Sequence, residues 1–340
     1  MSHRSRPARL DDVARAAGVH VSTVSRVINS SGDVAVRPET RQRILDAARE
    51  LQYRPNAIAR GLKLAVTGTL GLLVPSLRNP VNSPIIRGAF DRAWERSFVV
   101  VLAEDDRESE TAADAYARLV EERRIDGVLI QSARLGDSAH LGAFVTGLVP
   151  CVFMDRRHPG SGRNVSMRDG DAGRLACEHF LELGHRSLGH LAGPADLDTV
   201  VRRRDGFVGR ARAAGIEPVV LAAGLSEEEG YRAMRALLER DPAPTAVYIA
   251  NINQALGAAA AVRESGRRVP EELSLVCHDD DPVCAFLDAP LTAMRMPLEE
   301  LGAAAVDALI EQIHGSRGRD VVIETAPELV LRRSTARAAR

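Results

Sequence analysis

The chain has 340 residues, 45% apolar and 27% charged, the balance of a folded protein rather than a disordered one. No apolar run approaches the roughly 20 residues that span a bilayer, and the opening MSHRSRPARLDD lacks the apolar core of a signal peptide, so a cytoplasmic protein is expected. The net charge of −1 hides an asymmetry: residues 1–66 carry 12 Lys/Arg against 6 Asp/Glu, and the rest of the chain carries 33 against 40. A small basic head on a large, mildly acidic body points to a phosphate-bearing partner for the head.

In the head, Asp11 is a fitting N-cap for a first helix with Leu10, Val13, Ala14 and Ala17 at helical spacing, ended by Gly18. A second helix fits residues 21–29. At about 100° per residue, Val24, Val27 and Ile28 share one face, and Ser22, Ser25, Arg26 and Asn29 share the opposite one. A third helix starts near Pro38, runs to about Leu51 and buries Ile44, Ala48 and Leu51. Two short helices joined by a Gly turn match a helix-turn-helix. A DNA major groove accepts such a polar face: Arg26 has the fork for a guanine edge, and Ser and Asn suit phosphates or base edges. A small helical protein-binding or cap domain would share this periodicity, and the charge surplus weighs toward DNA.

After the head, NAIARGLKLAVTG offers about two helical turns from Asn56, weakened by Gly61 and too short to stand alone in water. Beyond Thr69, apolar runs alternate with amphipathic stretches. TLGLLVPSL, FVVVLAED, GVLIQSA and CVFMD read as strands of one half, and SLGHLAG, PVVLAAG, AVYIANI and SLVCHDD as strands of a second. This βα alternation implies two parallel sheets flanked by helices, with ligands at the carboxyl ends of strands. Asn79, Asp155, Asn251 and Asp279 fall at such ends. Cys151, Cys177, Cys277 and Cys284 form no CxxC pair, so reduced thiols are expected and neither a metal nor a cofactor is.

The strings DDVARAAGVHVSTVSRVIN and VRPETRQRILDAARELQYRPNAIARGL closely resemble the lactose-repressor/galactose-repressor family of bacterial transcription regulators. GLLVPSLRNP, ERRIDGVLI, LELGHRSLGHLAGP, RRRDGF, VPEELSLVCHDD, PLTAMRMP and ELVLRRST follow in family order, and together they cover nearly all of residues 10–335. The resemblance implies an all-α helix-turn-helix head (1–54), a hinge (55–67) and an α/β body (68–335) built like the periplasmic sugar-binding clamshells. One lobe would comprise about 68–165 and 293–322, the other 166–292 and 323–335. It places Val21, Ser22 and Arg26 at base-reading positions and Thr23, Ser25 and Asn29 on the duplex backbone. Paired hinge helices would enter the minor groove, with Leu62 as the wedge and Ala59 beside it. Asp155, Arg203, Asn251 and Asp279 would line an effector cleft, where carboxylates accept from hydroxyls and Arg donates from a fixed fork.

Several positions depart from the family. His20 stands where a Ser usually caps the second helix and is expected to be a poorer cap. The loop SSGDVAV is two residues longer than usual and sets Asp33 toward an acidic duplex. Ile252 replaces an Asp, Val81-Asn82 replaces an aromatic pair, and Leu225 replaces a ring-stacking aromatic. Phe153, Phe207, Tyr248 and Phe286 remain as candidate cleft aromatics. The effector expected is a sugar or a small polar or anionic metabolite, the latter contacted by Arg156 and Arg203. A cleft without an effector is the alternative.

No Walker loop, G-x-S-x-G elbow or HExxH is present, so an enzyme is not expected. A transport solute-binding protein would share the body but not the head. Without an apolar heptad tail, a homodimer on a near-palindromic operator is expected rather than a tetramer.

Overall fold

A computed structural model describes residues 8–29, 36–53, 66–105, 112–136, 141–145 and 149–339, and the chain divides into two units, Met1–Gly68 and Thr69–Arg340. The first unit contains the helices Leu10–Ala17, Val21–Asn29 and Pro38–Glu50. The first helix starts one residue before the expected cap. Arg9 is the N-cap, and its N–H donates to Asp12 Oδ2 (2.8 Å), so the acidic cap reaches back from the first turn. Gly18 ends that helix at φ 65°, as a left-handed C-cap favours.

His20 caps the second helix better than its identity predicts. The backbone N–H of Ser22 donates to its Nδ1 (3.3 Å), and the Ser22 hydroxyl lies 2.8 Å from the same nitrogen. Both contacts are satisfied when the ring proton sits on Nε2. Val13, Ala14, Ala17, Val24, Val27, Ile44 and Ala47 form the core of this unit. Ala48 packs only at its edge, and Leu51 is exposed because it forms the C-cap, where the chain leaves the buried helix face.

The second unit holds two six-stranded sheets. The first begins with β1 (Thr69–Val74), β2 (Val99–Glu104), β3 (Gly127–Ile130), β4 (Cys151–Met154) and β5 (Asn164–Ser166). The second contains β6 (Leu188–Ala192), β7 (Val219–Ala222), β8 (Ala246–Ile249), β9 (Ser274–His278) and β10 (Thr292–Arg295). β11 (Val321–Val322) then rejoins the first sheet and β12 (Glu328–Val330) the second. The orders are β11-β5-β4-β3-β1-β2 and β12-β10-β9-β8-β6-β7, parallel throughout except for β12 against β10. β3, β4, β6, β8 and β9 are buried along their whole length, which explains their mostly apolar sequences.

The chain passes between sheets after β5, after β10 and between β11 and β12. The second passage lies just beyond Arg295, because Thr292–Met294 pair with Val276–His278 of β9 before the chain leaves. All four cysteines are free and buried.

Three helix pairs brace the sheets, and each meets at a pair of facing glycines. Asn82–Glu95 crosses Leu298–Ile313 at Gly88 and Gly302, and Asp169–Glu182 crosses Asp198–Ala213 at Gly173 and Gly206. Glu227–Leu238 crosses Ile252–Glu264 at Gly230 and Gly257. A Cβ at any of the six would overlap a backbone carbonyl of the opposite helix: Glu299 and Ile85, Arg203 and Gly170, Gln254 and Glu227 in turn. The absence of that one atom sets the closeness of each crossing.

Candidate functional site

The helix Val21–Asn29 leaves Ser22 and Arg26 exposed, with Val21, Thr23 and Ser25 half-buried and Val24 and Val27 turned inward. The side chain of Asn29 lies outside the described residues, as do Ala59, Leu62 and the loop carrying Asp33. Ser22 is held by His20, so the residue that departs from the family pattern orients one of the predicted base-reading hydroxyls.

In the body, the carboxyl ends of the strands carry the polar residues. Asp155 is the first residue past β4 and Asp279 the first past β9, so each lobe ends a strand in a buried aspartate. Both adopt a left-handed backbone, φ 65° and 74°. Among residues with a Cβ, Asp tolerates this conformation well, and such strain gathers at functional sites. Asn251, past β8, caps the helix Ile252–Glu264: its Oδ1 accepts from Gln254 N–H (2.9 Å) and its Nδ2 donates to Leu225 O (3.0 Å). Asn79, past β1, is half-buried and accepts at Oδ1 from Val81 N–H (3.3 Å).

Arg203 is buried and fixed, donating from Nε to Asp169 Oδ1 (2.9 Å) and from Nη1 to Ala250 O (3.0 Å). Asp169 was not anticipated from sequence, nor was the ion-pair network around it. Arg202 pairs with Asp169 (2.5 Å) and with Asp198 (2.9 Å), and its Nη2 donates to the Asp155 carbonyl (3.1 Å). From the other lobe, Arg157 grips Asp198 through Nε (3.0 Å) and Nη2 (2.9 Å), and Arg134 pairs with Asp196 (2.6 Å). These contacts join residues about 40 to 60 positions apart, and only the signature RRRDGF hinted at a charged helix start there.

Burial, reinforced by Asp169, pushes the Asp155 carboxyl up. Burial likewise pushes Asp279 up to about 7, with Arg203 opposing and Asp155 and Asp169 adding to the rise. Burial holds His278 well below its ordinary value and therefore neutral. Gln131 Oε1, Ser132 Oγ, His278 Nε2 and Asp279 Oδ1, all buried at or beside strand ends, have no hydrogen-bond partner among the described residues. Buried polar atoms are normally satisfied, so this cluster is suited to a polar guest.

The candidate aromatics do not line the cleft as expected. Phe153, Phe207 and Tyr248 are fully buried, and Tyr248 stacks between His190 (4.9 Å) and Phe207 (5.3 Å) behind the strand ends. Phe286, 83% exposed, lies instead beside Leu256 and Leu287 on a groove of about 340 Å³. Ile252 is core, and Leu225 packs on Leu197, Val200 and Ala250. Asn82 donates to Ser76 O (2.5 Å) and accepts from Gln131 (2.8 Å), bracing the loop after β1. Pro80, Val81 and Pro84 face Asp279–Pro282 across a cavity of about 520 Å³ between the lobes.

Among the described residues, no cluster of His, Cys, Asp and Glu is placed to hold a metal ion. No described helix is long and apolar enough to cross a membrane.

Comparison with known proteins agrees with both halves of this geometry. Residues 9–56 match the family described as bacterial regulatory proteins, lacI family, and residues 177–335 match the periplasmic binding protein-like domain. The chain is 35% identical over 335 residues to the HTH-type transcriptional repressor PurR of Pasteurella multocida, covering 96% of this chain and 98% of that one. Among solved structures, the lac repressor dimer bound to operator and the anti-inducer ONPF superposes with a TM-score of 0.80 at 28% identity, covering 97% and 100% of the two chains. The transcriptional regulator CelR in complex with cellobiose superposes with a TM-score of 0.72 at 31% identity, covering 96% and 99%. With a helix-turn-helix head, a two-lobed body and a relative matched over nearly its full length, the chain belongs to the LacI family of bacterial transcription regulators.

Proposed function

We propose that the protein is a transcriptional repressor that binds a near-palindromic DNA operator as a homodimer and answers to a small polar effector in the interlobe cleft. The observation that carries the reading is the combination, in one chain, of an exposed Ser22/Arg26 face on the second head helix with two lobes that each end a strand in a strained, buried aspartate. Arg26 reads a guanine edge, Val21 and Ser22 add short contacts, and Thr23, Ser25 and Asn29 hold phosphates. Ala59 and Leu62 serve the minor groove. Asn79, Asp155, Arg203, Asn251 and Asp279 form the effector site. Effector binding biases the angle between lobes and so the fraction of molecules able to hold DNA, and DNA and effector affect each other's affinity reciprocally.

Two exposed apolar surfaces support the homodimer. On the first lobe, Phe90 and Trp94 (78% exposed) of one helix adjoin the outward Val99 and Val101 of edge strand β2. On the second, Phe286 stands over its groove. Apolar exposure of this kind marks association surfaces.

The test is selection of duplexes from a random pool by the full chain. An inverted repeat should be enriched, and Arg26→Ala should lower affinity for it by roughly tenfold to a hundredfold. Failure to enrich any sequence by a chain that melts cooperatively would refute the reading.

A further inference from the structure

Five arginines converge where the lobes face each other, and four of them are paired. Arg134 is taken by Asp196, Arg157 by Asp198, Arg202 by Asp169 and Asp198, and Arg203 by Asp169. Arg156 is the exception. It follows Asp155 directly in the β4–β5 loop, is only partly accessible, and its guanidinium makes no hydrogen bond or ion pair among the described residues. Its electrostatic neighbours are Asp155, Arg134, Arg203 and Asp196, which places it between the cleft floor and the facing loops of both lobes.

Arg156 stays protonated at neutral pH even though burial, with Arg134 and Arg203 adding to it, lowers it to about 10. The acids around these arginines are Asp155, Asp169, Asp196, Asp198, Asp279 and Asp320. Burial pushes two of these, Asp155 and Asp279, toward the protonated form. None of these acids makes an ion pair with Arg156, so the unmatched positive charge sits there. A partly buried, unmatched guanidinium is costly unless a ligand supplies the counter-charge, and its planar fork suits a carboxylate or a phosphate. Asp155 stands beside it as an acceptor for hydroxyls.

Resting on the effector reading above, we infer that the effector is a hydroxylated anion, a sugar acid or a sugar phosphate, whose charged group pairs with Arg156. The neutral part of the molecule occupies the carboxylate side of the cleft. The charged group supplies the counter-ion that Arg156 lacks.

The experiment uses the full-length protein and measures binding by calorimetry and thermal shift. The probes are gluconate, galacturonate, glucose 6-phosphate, ribose 5-phosphate and inorganic phosphate, each set against neutral glucose, galactose or ribose where a counterpart exists. At least one anion should bind roughly tenfold to a hundredfold more tightly than its neutral counterpart. Arg156→Gln should remove that preference without lowering the melting temperature of the free protein, and Arg156→Lys should restore part of it. A preference for acids over phosphates, or the reverse, identifies the charged group.

Neutral sugars binding as well as their charged counterparts, or an anion preference that survives Arg156→Gln, would overturn the anion site and leave the effector reading standing. Silence from every probe, charged and neutral, would overturn both, provided the same preparation binds its selected operator.

Discussion

Replacing Asp279 with Asn should stabilise the protein, and by more at alkaline than at acidic pH. The carboxyl is 4% exposed, and its Oδ1 has no hydrogen-bond partner among the described residues. The nearest ring nitrogen, His278 Nε2, lies 3.6 Å away on a histidine that burial keeps neutral. Arg203 directs Nε to Asp169 and Nη1 to Ala250 O. Burial consequently lifts the carboxyl from an ordinary 3.8 to about 7. A group raised in this way binds its proton more tightly in the folded state. Its contribution to stability is fully present below about pH 3.8 and is lost as pH rises through about 7. Relative to strongly acid pH, the carboxyl then costs roughly 4 kcal/mol at pH 8, and about 2 kcal/mol at pH 5, where the unfolded chain ionises it and the fold keeps it protonated; this is an upper bound because the neighbouring Asp155 carboxyl is raised too.

Asn removes the charge, keeps the shape and tolerates φ 74°. A gain of 2–4 kcal/mol corresponds to roughly 5–10 °C for a body of this size. Differential scanning calorimetry of Asp279→Asn and the parent at pH 5 and pH 8 decides the matter. An equal gain at both pH values, or a loss at pH 8, would refute the electrostatic account.

Further outcomes follow from other parts of the molecule. Trp94→Glu combined with Phe286→Asp should convert a dimer to monomers in analytical ultracentrifugation without lowering secondary structure, and an unchanged mass would remove both surfaces from the dimer account. Leu62→Ala should weaken operator binding by roughly tenfold or more while leaving the melt of the body unchanged, and unaltered affinity would rule out a wedge at that position. Gly206→Ala should destabilise by about 1–3 kcal/mol, because its methyl meets the Gly170 carbonyl across the helix crossing. Urea denaturation reads that change, and a neutral effect would mean the crossing relaxes freely.

The architecture was legible because its longer strands are buried on both faces and read as mostly apolar runs, as in TLGLLV and SLVCH. β5, β10, β11 and β12 were not, since two to four residues carry no periodicity and their pairing is settled only by neighbours far along the chain. Strand-end residues such as Asp155 and Asp279 could be named from position alone. Their partners could not, because Arg157 and Asp198, 41 positions apart, meet only where the two lobes face each other. The aromatics misled in the opposite direction. Phe207 and Tyr248 are large enough to line a ligand site, yet the two rings stack on each other inside the second lobe, while Phe286 ends up facing solvent.

The three glycine-faced helix crossings determine where this body can bend. A crossing held at backbone contact has no side-chain cushion to shear, so sliding one helix would drive carbonyls into Cα atoms along the whole contact. One crossing stiffens the first lobe and two stiffen the second. What remains compliant are the three thin connectors that leave β5, β10 and β11. Each lobe therefore behaves as a solid plate on a triple strap, and any signal that travels through it must be carried as a rotation about those straps rather than as a change of shape within either plate.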